Sequence, residues 1–361
     1  MSWLANPGRD PGWRSESVPG EVQDFHRALA GYAPTRLVEL PDLAAEFGVR
    51  RVCAKEESTR LGLPAFKALG ASWAIRRALS GSGEGIPADG PCTLVTATDG
   101  NHGRAVAHFA GQLGHHAEIF VPAGVHPTAI QAIRDEGAIV TVVHGSYDDA
   151  VHAAKSRAQQ LDRGVLIQDT AWVGYEDIPG WIVDGYSTLF VEIDAQLSDL
   201  GVTGPDLVVV PTGVGSLLQA AIAHYRADVS RHSTAIVSVE PVGAACVMSS
   251  VAAGRPVTVP TGETVLAGLN CGTMSSLAWP HVVRGLDGCV VVADGAAIDA
   301  MRDLAAAGVD AGPCGAASLA ALRALHEAGN PLRLGPESTV VLLITEGAEA
   351  NPLPEGGDIA P

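Results

Sequence analysis

Short apolar runs alternate with amphipathic stretches along this chain of 361 residues. The runs at 92–97 and 206–211 are mostly apolar, as expected of strands that are covered on both faces, and the run at 51–56 has an apolar centre. Between such runs, apolar residues recur every three or four positions, which predicts helices. The alternation predicts an α/β protein whose mostly parallel sheets are flanked by helices.

The pattern predicts ten strands and eleven helices. We predict strands at 35–40, 51–56, 92–97, 118–122, 138–143, 165–168, 206–211, 235–240, 289–292 and 339–344. We predict helices at 21–30, 41–48, 66–79, 103–113, 127–136, 147–162, 185–198, 217–226, 244–252, 296–306 and 315–328. For residues 1–20 we predict an extended arm that is either poorly ordered or packed along a neighbouring surface. Residues 169–181 predict a loop rich in aromatic and acidic residues.

Length, charge and cysteine content limit the class of protein. A chain of 361 residues exceeds the usual size of a single core, so two lobes are expected. The formal net charge of −17 argues against nucleic acid and anionic membranes as partners, because their phosphates would be repelled. No bilayer-spanning stretch and no secretory signal are recognisable, and the six cysteines are scattered. We therefore expect a soluble cytoplasmic protein with reduced thiols and no membrane partner.

Lys67 is the first candidate for chemistry. It lies in the first turn of the predicted helix 66–79, between Phe66 and Ala68. An amine in apolar surroundings has a lowered pKa and can form a Schiff base with an aldehyde. A lone lysine of this kind more often extends its amine to solvent, so the residue alone favours that interpretation, and only its combination with two glycine-rich turns favours the Schiff base.

Two glycine-rich turns each follow a strand and precede a helix. Residues 98–103 read Thr-Asp-Gly-Asn-His-Gly, and residues 213–217 read Gly-Val-Gly-Ser-Leu. Backbone N–H groups at the start of a helix bind phosphate, and glycine lets the backbone approach it closely. A structural turn also needs glycine, so the turn at 213–217 leaves the two interpretations equal. It is neither a Walker loop nor a G-x-G-x-x-G fingerprint, which disfavours a nicotinamide-binding Rossmann protein.

Taken together, these segments resemble a known family. AFKALGA at 65–71, TATDGNHGRAVA at 96–107 and PTGVGSLLQA at 211–220 resemble pyridoxal-phosphate enzymes of the tryptophan synthase β type, called fold type II. Within that group, KEESTRLGLPAFKALG at 55–70, QDTAWVGYEDIPGW at 168–181 and LITEGA at 343–348 resemble diaminopropionate ammonia-lyase. The resemblance implies pyridoxal 5'-phosphate as cofactor, a homodimer, and a two-lobe fold with the site between the lobes. We assign 1–87 and 185–361 to the large lobe and 88–184 to a small lobe inserted in it.

The resemblance also implies which residues bind the cofactor. Lys67 would form the Schiff base with Phe66 beside it, and Asn101 would bind the phenolic oxygen. Thr345 would face the pyridine nitrogen, where a neutral partner favours β-elimination over transamination. The phosphate would be held by Gly213, Val214, Gly215, Ser216 and Leu217.

Two aspartates distinguish this chain from most relatives of the fold. The resemblance assigns α-proton removal from the D isomer to Asp99 and from the L isomer to Asp169, with Lys67 as a further base or acid. Both carboxylates could also attract a second ammonium on the substrate. From the residues alone, we favour the simpler interpretation that each aspartate caps a helix or loop.

The remaining candidate residues would contact substrate or support the site. Predicted substrate contacts besides Asp99 and Asp169 are Thr98, Gly100, His102 and Tyr175. We expect His102 to support its turn rather than to titrate. Trp172, Tyr175 and Trp181 could wall the pocket, although core packing explains aromatic residues equally well. The pair His115 and His116 lacks a third ligand at a suitable spacing, so no metal site is expected.

Two stretches depart from the family pattern. Residues 273–276 read Thr-Met-Ser-Ser where the family usually has an acidic residue followed by proline, and residues 311–316 replace a stretch that commonly carries Glu-Ser-Gly. The lost acidic side chains predict weaker recognition of a doubly cationic substrate. The expected activity is α,β-elimination on a small β-substituted amino acid, first 2,3-diaminopropionate, giving pyruvate and ammonia. The alternatives are a serine or threonine dehydratase, a β-replacement synthase, or a non-catalytic pyridoxal-phosphate-binding protein.

Overall fold

The computed structural model describes residues 2–80, 90–227 and 233–353. The strands in these ranges, β1 to β11 in chain order, are Trp3–Ala5, Leu37–Glu39, Arg51–Glu56, Thr93–Ala97, His116–Pro122, Ile139–Val143, Gly164–Leu166, Leu207–Pro211, Ala235–Pro241, Gly288–Val292 and Thr339–Ile344. The helices, α1 to α12, are Glu21–Ala28, Pro41–Phe47, Lys67–Leu79, Asn101–Gln112, Pro127–Asp135, Tyr147–Gln160, Asp177–Asp199, Ser216–Ala227, Cys246–Ala253, Trp279–Gly285, Asp294–Ala306 and Pro313–Glu327.

The strands form two separate sheets. Seven strands form the large sheet in the order β1-β10-β9-β8-β11-β3-β2, and four form the small sheet in the order β6-β5-β4-β7. The five inner strands of the large sheet and all strands of the small sheet run parallel, while β1 and β2 are antiparallel at the edges. The predicted fold class, two lobes with mostly parallel sheets flanked by helices, is confirmed.

The central strands of the large sheet are covered on both faces. Every residue of β8 and of β11 is buried. Val209 and Leu342 belong to a core that includes α12, whereas Val208 and Leu343 belong to a second core that includes α7 and α8. Successive side chains of a strand point to opposite faces, so each strand supplies both cores. The uninterrupted apolar runs in the sequence follow from this double burial.

The small sheet lies within the segment 88–184 that we assigned to the small lobe. Its strands fall between Thr93 and Leu166. The boundary at 87/88 lies outside the described residues, and α7 runs across residue 184 without a break. The division of the chain at these two points therefore stays a prediction.

Most predicted elements are present, with ends that differ by at most two residues. One helix start is wrong: α7 begins at Asp177, eight residues before the predicted start at 185, so the last five residues of the predicted loop 169–181 belong to the helix. Pro179 lies in the first turn of α7, where a backbone N–H has no partner within the helix, so proline is tolerated there. The sequence analysis also missed α10 and β1.

The N-terminal arm is fixed to the large sheet. Trp3–Ala5 pairs with Gly288–Val292 as the antiparallel edge strand. The side-chain amide of Asn6 donates to the carbonyl oxygens of Val282 at 3.0 Å and Leu286 at 2.8 Å, at the carboxyl end of α10. The bond to Leu286 satisfies a carbonyl group that the helix end leaves unpaired, whereas Val282 also accepts from the backbone N–H of Leu286 at 3.2 Å. Of the two expectations for the arm, attachment to a neighbouring surface is correct.

Candidate active site

A cleft of about 780 Å³ lies between the two lobes. Its walls come from the start of α3, the turn after β4, the turn after β8 and the segment after β11, so the carboxyl ends of parallel strands from both sheets face it. The lining residues are Phe66, Lys67, Thr98, Asp99, Gly100, Asn101, His102, Tyr147, Asp169, Pro211, Thr212, Gly213, Val214, Gly215, Ser216, Leu217, Leu218, Gly268, Leu269, Cys271, Cys314, Thr345, Glu346 and Asn351. The cleft thus brings together every predicted site residue except Tyr175.

Lys67 and Asp169 form an ion pair inside the cleft. The Nζ atom of Lys67 donates to Oδ2 of Asp169 at 2.6 Å, although 102 positions separate the residues. Burial is the largest single influence and opposes the charged amine, but the charge and hydrogen bond of Asp169, together with smaller contributions from neighbouring groups, raise the pKa of Lys67 above its ordinary value. The predicted lowering of this pKa is wrong, because the apolar sequence around Lys67 did not reveal the distant carboxylate.

Asp169 is held in place from several sides. Burial alone would raise its pKa, but the charge of Lys67 lowers the pKa of this carboxyl to about 2. Gln168 Nε2 donates to its Oδ1 at 3.3 Å, and the hydroxyl of Ser216 donates to its backbone carbonyl at 2.8 Å. The last bond links the loop after β7 to the first residue of α8.

Asp99 lies in the same cleft without a hydrogen-bond partner among the described residues. Burial, together with the nearby Asp169, raises the pKa of Asp99 to about 7. Its side chain does not cap α4; the hydroxyl of Thr98 accepts from the backbone N–H groups of Gly100 at 2.9 Å and Gly103 at 3.0 Å instead. The capping role that we favoured for Asp99 from the residues alone therefore belongs to Thr98.

The turn between β8 and α8 is built for an anion. A Cβ atom on Gly213 would lie 2.8 Å from the carbonyl oxygen of Gly268, and Gly215 has φ +96°, so glycine is required at both positions. Within the described part of the chain, the N–H groups of Gly213, Val214 and Gly215 donate no hydrogen bond. Unpaired N–H groups at the start of a helix bind phosphate, so the turn fits the phosphate of the predicted cofactor.

Glu346 is an acidic residue of the cleft that the sequence analysis did not single out. It is 1% exposed and follows Thr345, which is also buried. Its Oε2 accepts from Asn101 Nδ2 at 2.5 Å, and its Oε1 accepts from the backbone N–H of Cys314 at 3.3 Å. Burial raises the pKa of Glu346. The signal was available in the LITEGA motif, where an acid stands between a cofactor residue and a glycine.

Tyr147 lines the cleft, whereas Tyr175 does not. The Tyr147 oxygen accepts from Gln168 Nε2 at 2.9 Å. The Tyr175 hydroxyl donates to the carbonyl oxygen of Leu166 at 2.7 Å and accepts from the backbone N–H of Gln168 at 2.9 Å, and its ring stacks on Trp172. Trp181 lies on α7, beneath the guanidinium of Arg77. The three aromatic residues of the 168–181 motif therefore pack beside the site, and the sequence analysis did not identify Tyr147.

The stretch 273–276 does not line the cleft. Met274 is buried beside Gly215, the Ser275 hydroxyl accepts from the backbone N–H of Ala171 at 3.1 Å, and the Ser275 N–H donates to Val214 at 2.8 Å. The stretch supports the phosphate turn from behind, so its composition leaves the charge of the cleft unchanged.

The stretch 311–316 contributes Cys314 to the cleft and makes room for Glu346. A Cβ atom on Gly312 would lie 2.9 Å from Cγ of Glu346. The cleft contains three acids, although none comes from this stretch: Asp99, Asp169 and Glu346.

His102 supports its turn, as predicted. Its Nε2 donates to the carbonyl oxygen of Ile167 at 2.7 Å, and burial lowers the pKa of the ring, which keeps it neutral. In the three described ranges, no group of three or more His, Cys, Asp or Glu residues could hold a metal ion. The same ranges contain no helix with the length and apolar character needed to cross a membrane.

A second cluster of charged side chains lies behind the loop that leads to Lys67. Arg60 donates to Glu57 at 2.7 Å and to Glu192 at 2.6 Å, and Lys55 donates to Glu192 at 2.6 Å. All four side chains are at most 5% exposed. We call Lys55, Glu57, Arg60 and Glu192 the support cluster, and we call Lys67, Asp99, Asp169 and Glu346 the active-site cluster.

Comparison with known proteins agrees with the geometry. The family of pyridoxal-phosphate dependent enzymes matches residues 28–346. A diaminopropionate ammonia-lyase of Salmonella typhimurium is 37% identical over 363 residues, covering 92% of this chain and 89% of the relative. Crystal structures of the Escherichia coli diaminopropionate ammonia-lyase, one with D-serine and one with an aminoacrylate-PLP azomethine reaction intermediate, each superpose with a TM-score of 0.88. Each is 33% identical to this chain, with coverage of 96% of this chain and 94% of the other. This chain therefore belongs to the pyridoxal-phosphate dependent enzymes and, within them, to the diaminopropionate ammonia-lyase family.

Proposed function

We propose that this protein is a pyridoxal-phosphate-dependent ammonia-lyase that converts 2,3-diaminopropionate and water into pyruvate and two molecules of ammonia. The observation that carries the proposal is the active-site cluster: one lysine among three acids in a cleft whose glycine turn fits a phosphate. A substrate with two ammonium groups suits such a cleft, because each carboxylate stabilises a nearby cation. The names of the most similar relatives support the same activity.

The residues of the cleft suit the cofactor. The N–H groups of the turn at 213–217 would bind its phosphate, and Lys67 would bind its aldehyde carbon. Asn101 and Phe66 would contact the ring, and Thr345 would face the pyridine nitrogen without a charge. When bound, pyridoxal phosphate withdraws electrons from the substrate's α-carbon and so acidifies the α-hydrogen. Ser216 already donates its hydroxyl to Asp169, so its contribution to phosphate binding would come from its backbone N–H.

Asp169 controls the proton on Lys67. While the amine is charged, the 2.6 Å ion pair keeps Asp169 ionised. When the amine loses its charge, burial becomes the main influence on Asp169 and raises the pKa of its carboxyl. Asp169 can then hold the proton that the amine releases, which leaves Lys67 free to act as a base. The pair thus exchanges one proton over a short distance next to the reacting carbon.

Asp99 is a second carboxylate of the cleft that is suited to accept the α-hydrogen. It has no hydrogen-bond partner among the described residues, and burial beside Asp169 raises its pKa to about 7. A base is most effective when its pKa lies near the working pH. We propose that Asp99 takes the α-hydrogen of the D isomer and Asp169 that of the L isomer.

We propose that the protein acts as a homodimer in the cytoplasm, with the lobes divided at residues 87/88 and 184/185. The cytoplasmic location is supported by the six cysteines, which are all free in the described ranges. The division of the lobes is supported by the position of the small sheet between Thr93 and Leu166. A sedimentation experiment on the cofactor-loaded protein tests the dimer: a monomer at micromolar concentration would overturn it.

The activity is tested by steady-state measurement of 2-oxo acid release, which is pyruvate from D- and L-diaminopropionate and from serine, and 2-oxobutyrate from threonine. We expect pyruvate from both isomers of diaminopropionate with a higher kcat/KM than for serine or threonine. A preference for serine or threonine would make the protein a dehydratase. A cofactor-loaded protein that forms a 2-oxo acid from none of them would favour the non-catalytic alternative.

A further inference from the structure

One cleft residue, Tyr147, has no role in the function described above. It lies at the first position of α6, after the capping residue Ser146, and its side chain reaches the cleft near Asp99 and Asp169. We propose that Tyr147 is a substrate-binding residue that donates its phenolic hydrogen to the carboxylate of the amino-acid substrate. This inference rests on the proposed function, since it concerns the same site.

The orientation of the Tyr147 hydroxyl follows from Gln168. The Oε1 atom of Gln168 accepts from the backbone N–H of Ala97 at 2.9 Å and from the hydroxyl of Thr96 at 3.0 Å. Because a backbone N–H can only donate, the amide oxygen is fixed on that side. The Nε2 group of Gln168 must then point the other way, where it donates to the oxygen of Tyr147 at 2.9 Å.

The phenolic oxygen of Tyr147 is therefore an acceptor toward the protein, and its own hydrogen remains available. Among the described residues, no acceptor for that hydrogen lies within hydrogen-bond distance. Burial and the two neighbouring aspartates raise the pKa of the phenol well above its ordinary value, so the hydroxyl stays a donor at neutral pH.

The substrate group that needs this donor is its carboxylate. Ammonium groups are donors only, so they cannot accept from a phenol. The aspartates that attract the ammonium groups also repel a substrate carboxylate, and a neutral O–H donor compensates for that repulsion without weakening the attraction. Asp99 is the other acceptor in the neighbourhood, and the experiment below separates the two.

The test compares Tyr147→Phe with Tyr175→Phe in the cofactor-loaded protein. These two tyrosines both hydrogen-bond to Gln168, but only Tyr147 lines the cleft. The probes are alanine and ethylamine, which are measured as competitive inhibitors of pyruvate release and differ by the carboxylate. Because a hydrogen bond to a charged group contributes substantially to binding, Tyr147→Phe should raise the inhibition constant of alanine about tenfold. The inhibition constant of ethylamine should change less than about twofold, since ethylamine has no carboxylate.

Tyr175→Phe should leave the ratio of the two inhibition constants unchanged while it lowers the melting temperature, because it removes a hydrogen bond outside the cleft. Tyr147 is only partly buried, so loss of one oxygen is compatible with folding; Tyr147→Leu is the second variant and is measured in the same way. If Tyr147→Phe raises the inhibition constants of alanine and ethylamine equally, or changes neither, the inference is wrong. If Tyr147→Phe shifts the pH profile of turnover but leaves alanine binding unchanged, the hydroxyl donates to Asp99 instead, and the inference of a substrate contact is wrong.

The outcome for Tyr147 is separable from that for the proposed function. Pyruvate release from diaminopropionate by the wild-type protein tests the function, whichever way the variants behave. If another amino acid proves to be the substrate, the ratio for alanine and ethylamine still tests the carboxylate contact, because both probes lack a leaving group.

Discussion

The support cluster and the active-site cluster both contain four charged residues, yet they differ in burial and in balance: the support cluster is buried, whereas Lys67 and Asp99 of the active-site cluster are partly exposed. In the support cluster two cations face two anions, and each side chain forms at least one bond of 2.7 Å or shorter. In the active-site cluster a single cation faces three acids, and Asp99 has no hydrogen-bond partner in the described ranges. The pKa of Asp99 and that of Glu346 are both raised, whereas the Lys67 charge lowers that of Asp169.

The difference indicates which buried charges stabilise the fold and which perform chemistry. A balanced cluster with satisfied hydrogen bonds has little capacity to exchange protons, so it contributes rigidity. An unbalanced cluster in a cleft keeps groups near their titration point, which is the condition for acid and base catalysis. Changes in the first should therefore alter folding, and changes in the second should alter turnover.

Lys67→Met should produce the largest effect. Loss of the amine removes both the attachment of the cofactor and a base, so pyruvate release should fall by at least ~10³-fold. The melting temperature should change little, because one unpaired acid can take up a proton instead. Lys155→Met is the control: its amine lies over the Trp172 ring, outside the cleft, and turnover should remain within about twofold. Equal losses for the two variants would contradict the assignment of Lys67.

Arg60→Met should have the opposite signature. It leaves Glu57 and Glu192 buried without their main partner, which costs about 3–5 kcal/mol of unfolding free energy. Urea denaturation of the folded fraction measures the loss. Arg50→Met provides the comparison, since Arg50 is exposed and pairs with Glu337 at 3.4 Å, a contact that contributes at most ~1 kcal/mol. A stable Arg60→Met protein with impaired turnover would erase the distinction between the clusters.

Asp99→Asn should lower turnover of one diaminopropionate isomer by about 10²-fold, because the amide cannot accept the α-hydrogen. The wild-type rate should rise with pH through about 7, where Asp99 loses its proton, and the variant should lack that rise. Separate kcat measurements on D- and L-diaminopropionate from pH 5 to 9 provide the check. Similar losses on both isomers would argue against the assignment of one base to each.

Glu346→Gln should produce a moderate effect. The amide can still accept from Asn101, but it no longer attracts a cation, so KM for diaminopropionate should rise about tenfold and KM for serine much less. Glu349→Gln changes an exposed acid three positions away, which pairs with Arg104 at 3.6 Å, and should alter neither KM by more than about twofold. An equal rise of both KM values would show that Glu346 holds Asn101 in place and does not select cations.

The smallest expected effect is on stability. Because the folded pKa of Asp99 is raised to about 7 from an unfolded value near 4, the folded protein binds this proton more tightly. The stabilising contribution is full below pH ~4 and is lost as the pH rises through about 7. As the pH rises from 5 to 8, the melting temperature of Asp99→Asn should therefore fall less than that of the wild type. Asp42→Asn, at an exposed position, should follow the wild type.

The sequence predicted features that are written in short segments of the chain, and it missed those that depend on contacts between distant residues. Lys67 and the turn at 213–217 were identified because they occur together with the turn at 98–103 in one family pattern, although neither was decisive alone. The burial of Arg60 was not, since its partner Glu192 lies 132 positions away and the motif around it predicts a polar turn. Glu346 likewise meets Asn101 across 245 positions. In the sequence, Tyr147 is simply the first residue of a predicted helix. Its contact with Gln168, 21 positions away, is visible only in the structure.

The contact between Gly312 and Glu346 also limits how this site can change over evolutionary time. A methyl group at position 312 would lie 2.9 Å from the Glu346 side chain and 2.7 Å from the carbonyl oxygen of Gly347, so a larger residue at 312 requires a smaller one at 346 and a shift of that backbone. An acid therefore cannot be added at position 312 while Glu346 and the Gly347 backbone stay where they are. An engineer can change the charge at position 346 alone, with glutamine for example, but any side chain introduced at position 312 has to be matched by a smaller residue at 346.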